Sequence, residues 1–245
     1  MKILFLGYDR EQTSLIDFLS KEGHEVSHCS SLINLNYFKK FDFVVSFGYR
    51  HIIKEDAINY FGNKIINLHI ALLPFNRGSH PNFWSFWDGT PAGVTIHLVD
   101  KGIDTGDILY QKTVTFAKNE DTFAKTYSRL IKEIECLFKD NFNNILNCVT
   151  IPIKQKGEGS YHKSSDLPLV KSWDVNIEEF MRANKNEKHM EVIDKIEKVR
   201  MSNNVNWMDV LRLAFNHAPE EAKNLVKKIN KSDIEISNLL KELTE

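Results

Sequence analysis

Cysteine is scarce. Cys29, Cys136 and Cys148 are the three in 245 residues, and they form neither a CxxC pair nor an even set. A disulfide framework is thereby excluded, and free thiols in a reducing compartment are expected. Long apolar runs are missing too: nothing approaches the ~20 residues that a bilayer-spanning helix needs. The run Ile3-Leu4-Phe5-Leu6 is too short for a signal segment, and Asp9-Arg10-Glu11 follows at once. The expectation is a cytoplasmic protein with no membrane association. Charge of one sign is not in excess either, with 32 Lys and Arg against 33 Asp and Glu and a formal net charge of −1. Bulk attraction to nucleic acid needs a basic face, so no nucleic-acid partner is expected. His51, His69, His80 and His97 show no HxxxH spacing and no Cys/His cluster, which argues against a metal. Gly7 alone is no GxGxxG fingerprint, and no GxSxG elbow occurs, so dinucleotide binding and covalent hydrolysis have little support.

What is present is an alternation of strand and helix patterns. Ile3–Leu6 reads as a buried strand ending at Gly7. Leu15, Ile16, Phe18 and Leu19 give Glu11–Lys21 a helical period closed by Gly23. Strands are expected at Glu25–Cys29, Asp42–Phe47 and Lys64–Leu68, and a short helix at Glu55–Phe61. This order predicts an α/β fold with a mostly parallel sheet and ligands at the carboxyl ends of its strands. Further on, Pro81–Asp88 reads as a short helix with Pro in its first turn. Val94–Val99 and Ile108–Phe116 read as two strands joined by a loop with Asp104 at its tip. Asp121–Leu146 is a long amphipathic helix with its stripe on Phe123, Tyr127, Leu130, Ile131, Ile134, Leu137 and Phe138. The expected division is a catalytic core over 1–150, a polar, Gly-rich loop or hairpin over 151–175, and a charged helical extension over 176–245. Within that extension, Val199–Met208 is a candidate partner surface, although a helical cap on the core is the simpler reading.

Asn67 and His69 carry the chemistry. They stand two apart at a strand end, so both side chains point to one face. An imidazole takes a proton near neutral pH, and an adjacent carboxylate fixes its tautomer and stabilises the imidazolium. Asp104 is placed to be that carboxylate, with Asp100 and Asp107 as nearby competitors. An Asn67 amide N–H can meet an oxyanion as charge develops on it. Taken alone, such an Asn-x-His pair also serves to cap a strand.

Ordered along some forty positions stand Asn67-Leu68-His69, Leu72-Leu73-Pro74, Arg77-Gly78, Pro81, Gly93-Val94-Thr95-Ile96-His97 and Asp104-Thr105-Gly106. This series resembles the 10-formyltetrahydrofolate-dependent formyltransferases over residues 1–150. The resemblance implies a Rossmann-like core, 10-formyltetrahydrofolate as co-substrate, no metal, and Asn67, His69 and Asp104 as the catalytic set. It also implies that the folate pterin lies between Phe47–Ile53 and Asp100–Asp104, with Arg50, Ile52, Ile103 and Asp104 binding it.

The acceptor differs among branches of that family. The stretch Leu73–Trp87, with Gly157–His162, Leu167-Pro168 and Trp173-Asp174, resembles the bacterial sugar-nucleotide N-formyltransferases. That branch implies a dTDP-linked amino-dideoxy sugar such as dTDP-4-amino-4,6-dideoxyglucose, formylated for O-antigen or another surface polysaccharide, and a homodimer. Arg77 is then expected on a pyrophosphate and Tyr161 or Trp173 on a pyrimidine base, with Asn82 a further substrate-binding residue. Phe83, Trp84, Phe86 and Trp87 are read instead as core. UDP-amino-arabinose and methionyl-tRNA remain as other acceptors, and a non-catalytic folate or nucleotide-sugar binder as the reading from another class.

Overall fold

Ile3, Leu4, Phe5 and Leu6 are all fully buried. A strand reaches that state only when both faces of its sheet are covered, and the structure, a computed structural model describing residues 1–184, 198 and 208–242, shows how. Alternate residues divide between two apolar layers. Ile3 and Phe5 of β1 (Lys2–Gly7) pack with Val45 and Phe47 of β3 (Phe43–Phe47) and Ile66 and Leu68 of β4 (Ile65–His69). Covering them are α1 (Leu15–Lys21) through Leu15, Ile16 and Leu19, and α5 (Phe123–Leu146) through Leu130, Ile134 and Phe138. Leu4, Leu6, Val44 and Ile65 point the other way, onto Phe38 of α2 (Leu35–Phe38) and Ala57 and Phe61 of α3 (Glu55–Phe61). Each such fully buried Leu or Phe contributes roughly 1.5–3 kcal/mol by transfer from water.

The sheet has six strands in the order β2-β1-β3-β4-β6-β7, with β2 at Glu25–Cys29, β6 at Gly93–Leu98 and β7 at Ile108–Thr113. The pairs β1–β2, β1–β3 and β3–β4 are parallel, whereas β4–β6 and β6–β7 are antiparallel. The mostly parallel α/β core is therefore as expected, and its antiparallel edge brings Asn67 opposite His97. Between β4 and β6 the chain forms a two-residue strand, β5 (Arg77–Gly78), and a short helix, α4 (Pro81–Trp87). Phe83 and Trp84 of α4 pack with Phe123 and Ile177, and Phe86 and Trp87 lie against that cluster, so these aromatics are core.

The 151–175 segment, expected as a loop or hairpin, is mostly loop. Its strand β8 (Tyr161–His162) pairs in parallel with β5, Arg77 opposite Tyr161 and Gly78 opposite His162. The chain divides into two compact units, Met1–Met181 and Arg182–Glu245. In the second, residues 208–217 and Pro219–Glu242 are helical, with Pro219 in the first turn and Ala222 buried. The candidate partner stretch at Val199–Met208 lies outside the described residues apart from Met208.

Candidate active site

Three loops at the end of β4 build the site. β4 presents Asn67 and His69 on one face, and both His69 (7% exposed) and His97 (2%) are buried beneath the cleft. The loop after β6 turns on Gly102 and Gly106. A Cβ at Gly106 would stand 1.8 Å from the Leu98 carbonyl oxygen, so only glycine lets the loop double back there. Asp104 takes the left-handed conformation, φ 53°, which turns its carboxylate onto the β4 residues.

That carboxylate is the hub. Its Oδ1 accepts from Asn67 Nδ2 at 3.1 Å and its Oδ2 from the Gly78 backbone N–H at 2.9 Å. His69 Nδ1 lies 3.7 Å from Oδ2, and His97 Nε2 lies 3.5 Å from Oδ1. Burial opposes the charge, but His69 and His97 in their imidazolium forms, with the Gly78 N–H, outweigh it and hold the Asp104 carboxyl well below the usual carboxylate range. Asp104 is thus an anion throughout the working pH range. Of its competitors, Asp100 is spent inside its own loop, accepting from Gly102 N–H and the Thr105 hydroxyl through one oxygen.

The hydrogen bonds also assign the ring protons, because a backbone carbonyl only accepts. His69 Nε2 donates to the Asn76 carbonyl at 3.0 Å, so in the neutral ring it is Nδ1, the nitrogen nearest Asp104, that carries the lone pair. The tautomer is therefore set by Asn76, not by the carboxylate as expected from sequence; Asp104 instead faces the nitrogen that gains a proton. His97 Nδ1 donates to the Leu98 carbonyl at 2.8 Å, so its Nε2 accepts from Asn67 Nδ2 at 3.2 Å. Both amide hydrogens of Asn67 are engaged in this arrangement.

A cleft of about 1330 Å³ opens above this cluster. Arg50, Ile52 and Ile103 line it, as does Asp104 itself. Ile52 is 76% and Ile103 45% exposed. Two solvent-exposed isoleucines on opposing loops of one cleft suit a flat ring between them. Asn82, Tyr161 and Trp173 also line it. Asn82 Nδ2 donates to the Phe123 carbonyl, while its buried Oδ1 has no partner among the described residues. Trp173 stacks on His80 at 5.7 Å and 21°. Arg77 is not on the cleft wall; its Nε donates to the Ser160 carbonyl at 3.5 Å, a consequence of the β5–β8 pairing. Sequence reasoning singled out neither His97 as part of the cluster nor Asn76, nor the pair Tyr8 and Tyr127, whose hydroxyls meet at 2.6 Å on the cleft. The sign for His97 was its place on an adjacent strand, readable only with the antiparallel register in hand. Among the described residues no group of His, Cys, Asp and Glu could hold a metal ion.

Gly78 joins these parts. Its φ is 89°, its N–H holds Asp104, and a Cβ there would stand 2.3 Å from the His162 carbonyl oxygen and 2.9 Å from the Tyr161 ring. Gly78→Ala is expected to destabilise the protein by about 2 kcal/mol or more. Urea unfolding checks this, and an unchanged midpoint would contradict the close packing.

A family model described as formyl transferase matches residues 2–138. The formyltransferase PseJ from Anoxybacillus kamchatkensis, solved in complex with UDP-4,6-dideoxy-4-formamido-L-AltNAc and tetrahydrofolate, is 40% identical. The match covers 73% of this chain and 96% of that one with a TM-score of 0.68. The dTDP-4-amino-4,6-dideoxyglucose formyltransferase of Mycobacterium tuberculosis is 28% identical over 138 residues, 56% of this chain and 58% of that protein. A methionyl-tRNA formyltransferase from Finegoldia magna is 44% identical over 69 residues, 28% of this chain and 22% of that protein. The chain thus spans between about a fifth and three fifths of the length of these two curated relatives.

Proposed function

We propose that this chain, which belongs to the formyl transferase family, moves a formyl group from 10-formyltetrahydrofolate to the amine of a nucleotide-linked amino-dideoxy sugar. The observation that carries the reading is the Asn67–His69–Asp104 cluster at the floor of one cleft. Single-ligand pockets run to about 1,000 Å³, and this cleft is larger, so donor and acceptor fit it together.

In this mechanism the folate supplies an activated one-carbon unit, and the chain's residues manage charge and protons. His69 Nδ1 takes the proton from the attacking amine as the new C–N bond forms. Asp104 holds the resulting imidazolium by its charge. Asn67 exchanges one of its present bonds for the developing oxyanion. His69 then returns the proton to the folate nitrogen as its bond to the formyl carbon breaks. Products are the N-formyl sugar and tetrahydrofolate. Arg50, Ile52 and Ile103 are placed to hold the folate, and Asn82, Tyr161 and Trp173 the acceptor.

For the acceptor, the two sugar-acting relatives share a 4-amino- or 4-formamido-4,6-dideoxy sugar on a pyrimidine nucleotide. The dTDP-linked sugar expected from sequence stays a candidate. The 40% identity to a protein bound to a UDP-linked product favours uridine as the carrier. The reading places the enzyme in the cytoplasm as a homodimer serving surface-polysaccharide synthesis; no helix among the described residues is long and apolar enough to cross a membrane. Turnover measured side by side on UDP- and dTDP-linked 4-amino sugars, 3-amino sugars and methionyl-tRNA tests it. Preference for a UDP-linked 4-amino sugar is expected, and preference for methionyl-tRNA would overturn it.

A further inference from the structure

The two loops that hold the reacting groups are tied down by a segment beyond residue 138, where the family match ends. Ile153 bridges to Ile108 by two backbone hydrogen bonds of 2.7 and 2.9 Å, which starts the segment alongside β7. Gln155 then gives both hydrogens of its Nε2 to the turn of the Asp104 loop, at 2.8 Å to the Asp104 carbonyl and 2.9 Å to the Gly106 carbonyl. Gly159 lies against Pro74, where a Cβ would stand 2.1 Å from the carbonyl oxygen. Ser160 follows. Its hydroxyl accepts from the Asn76 backbone N–H at 2.8 Å and donates to Asn76 Oδ1 at 3.1 Å. Its own carbonyl accepts from Arg77 N–H at 3.0 Å. The segment thus grips Asn76, whose carbonyl takes the Nε2 proton of His69, and the turn that aims Asp104 at His69 Nδ1.

We propose that Ser160 and Gln155 are positioning residues: Ser160 keeps His69 in its Nε2–H tautomer through Asn76, and Gln155 keeps the Asp104 carboxylate against Nδ1. The catalytic role rests on the formyl-transfer reading; the tautomer control does not. Neither residue touches the cleft, so each acts through its neighbour rather than on substrate. A hydrogen bond of this kind is worth about tenfold in rate when its loss lets a reacting group wander.

The test uses the full chain, with Ser160→Ala, Ser160→Thr and Gln155→Leu. Histidine labelled with nitrogen-15 reports the His69 tautomer by NMR without any substrate, and formyl transfer gives kcat and KM. Ser160→Ala is expected to lose the single Nε2–H form and about tenfold in kcat, with KM for both substrates held within about twofold. Ser160→Thr, which keeps the hydroxyl, is expected to restore both. Gln155→Leu is expected to lower kcat by a similar factor with the tautomer unchanged, and it carries the test should Ser160→Ala not fold. An unaltered tautomer in Ser160→Ala, or unaltered kcat in Gln155→Leu, would overturn the proposal. If the wild-type chain moved no formyl group at all, the functional reading would fail while the tautomer signal still decided the role of Ser160.

Discussion

His69→Ala is expected to lower kcat for formyl transfer by about 10³-fold, within the range by which general bases act. The amine must shed a proton as it attacks, and His69 lines the cleft with its Nδ1 3.7 Å from the Asp104 carboxylate. Water in its place is a far weaker base and is not held. The change removes a buried ring beneath the cleft, whereas Ile52 and Ile103, the candidate folate clasp, lie on other loops. The folate dissociation constant is therefore expected to stay within about twofold, so the loss falls on the chemical step. Steady-state kinetics with fluorescence titration of the folate checks both. A variant retaining more than a tenth of the wild-type kcat would remove His69 from the mechanism.

Asp104→Asn is expected to cost about 10²–10⁴-fold in kcat, on the scale seen when a carboxylate behind a catalytic imidazole is made neutral. The substitution removes the charge with little change of shape. Asn tolerates the left-handed backbone that this position demands, φ 53°. Its side-chain oxygen can still accept from Gly78 N–H. What disappears is the anion 3.7 Å from His69 Nδ1, together with the oxygen that accepts from Asn67 Nδ2. A pH signature accompanies it. The Asp104 carboxyl is depressed in the fold, by His69 and His97 and the Gly78 N–H against the opposing effect of burial, from an ordinary value of 3.8. Its contribution to stability is therefore fully present above the ordinary value and lost as pH falls below it towards the folded value. The stability difference between wild type and Asp104→Asn is expected to change as pH falls below that ordinary value. Urea unfolding across that range measures it. A difference that stayed flat in acid would contradict the assignment of charge.

Much of this architecture is legible in the sequence, because burial on both faces leaves continuous apolar runs such as Phe43–Phe47, and glycines mark where they stop. The helix at Glu55–Phe61 and the strand at Glu25–Cys29 stand where expected. The helix expected from Glu11 begins only at Leu15, because Asp9 Oδ1 draws the Glu11 and Gln12 N–H groups into a turn first. What periodicity does not carry is which strand lies beside which. The reversal of β6 against β4 places His97 in the cluster, and no local pattern announces it. The pairing of β5 with β8 likewise joins residues more than eighty positions apart, turning Arg77 to the Ser160 carbonyl rather than to the cleft. The motif located Asn67, His69 and Asp104, since order along the chain is what a motif records. The proton positions came from Asn76 and Leu98 carbonyls, which have no side-chain identity to read.

In the proposed reaction the cluster around Asp104 promotes transfer of a formyl group to a sugar amine. The most direct measurement mixes the purified chain with 10-formyltetrahydrofolate carrying carbon-13 in the formyl group and a UDP-linked 4-amino-4,6-dideoxy sugar, and follows the label by NMR. The label is expected to move from the folate to the sugar nitrogen in the wild-type chain and to stay on the folate with His69→Ala. Label released as free formate, or transferred equally by wild type and variant, would contradict it.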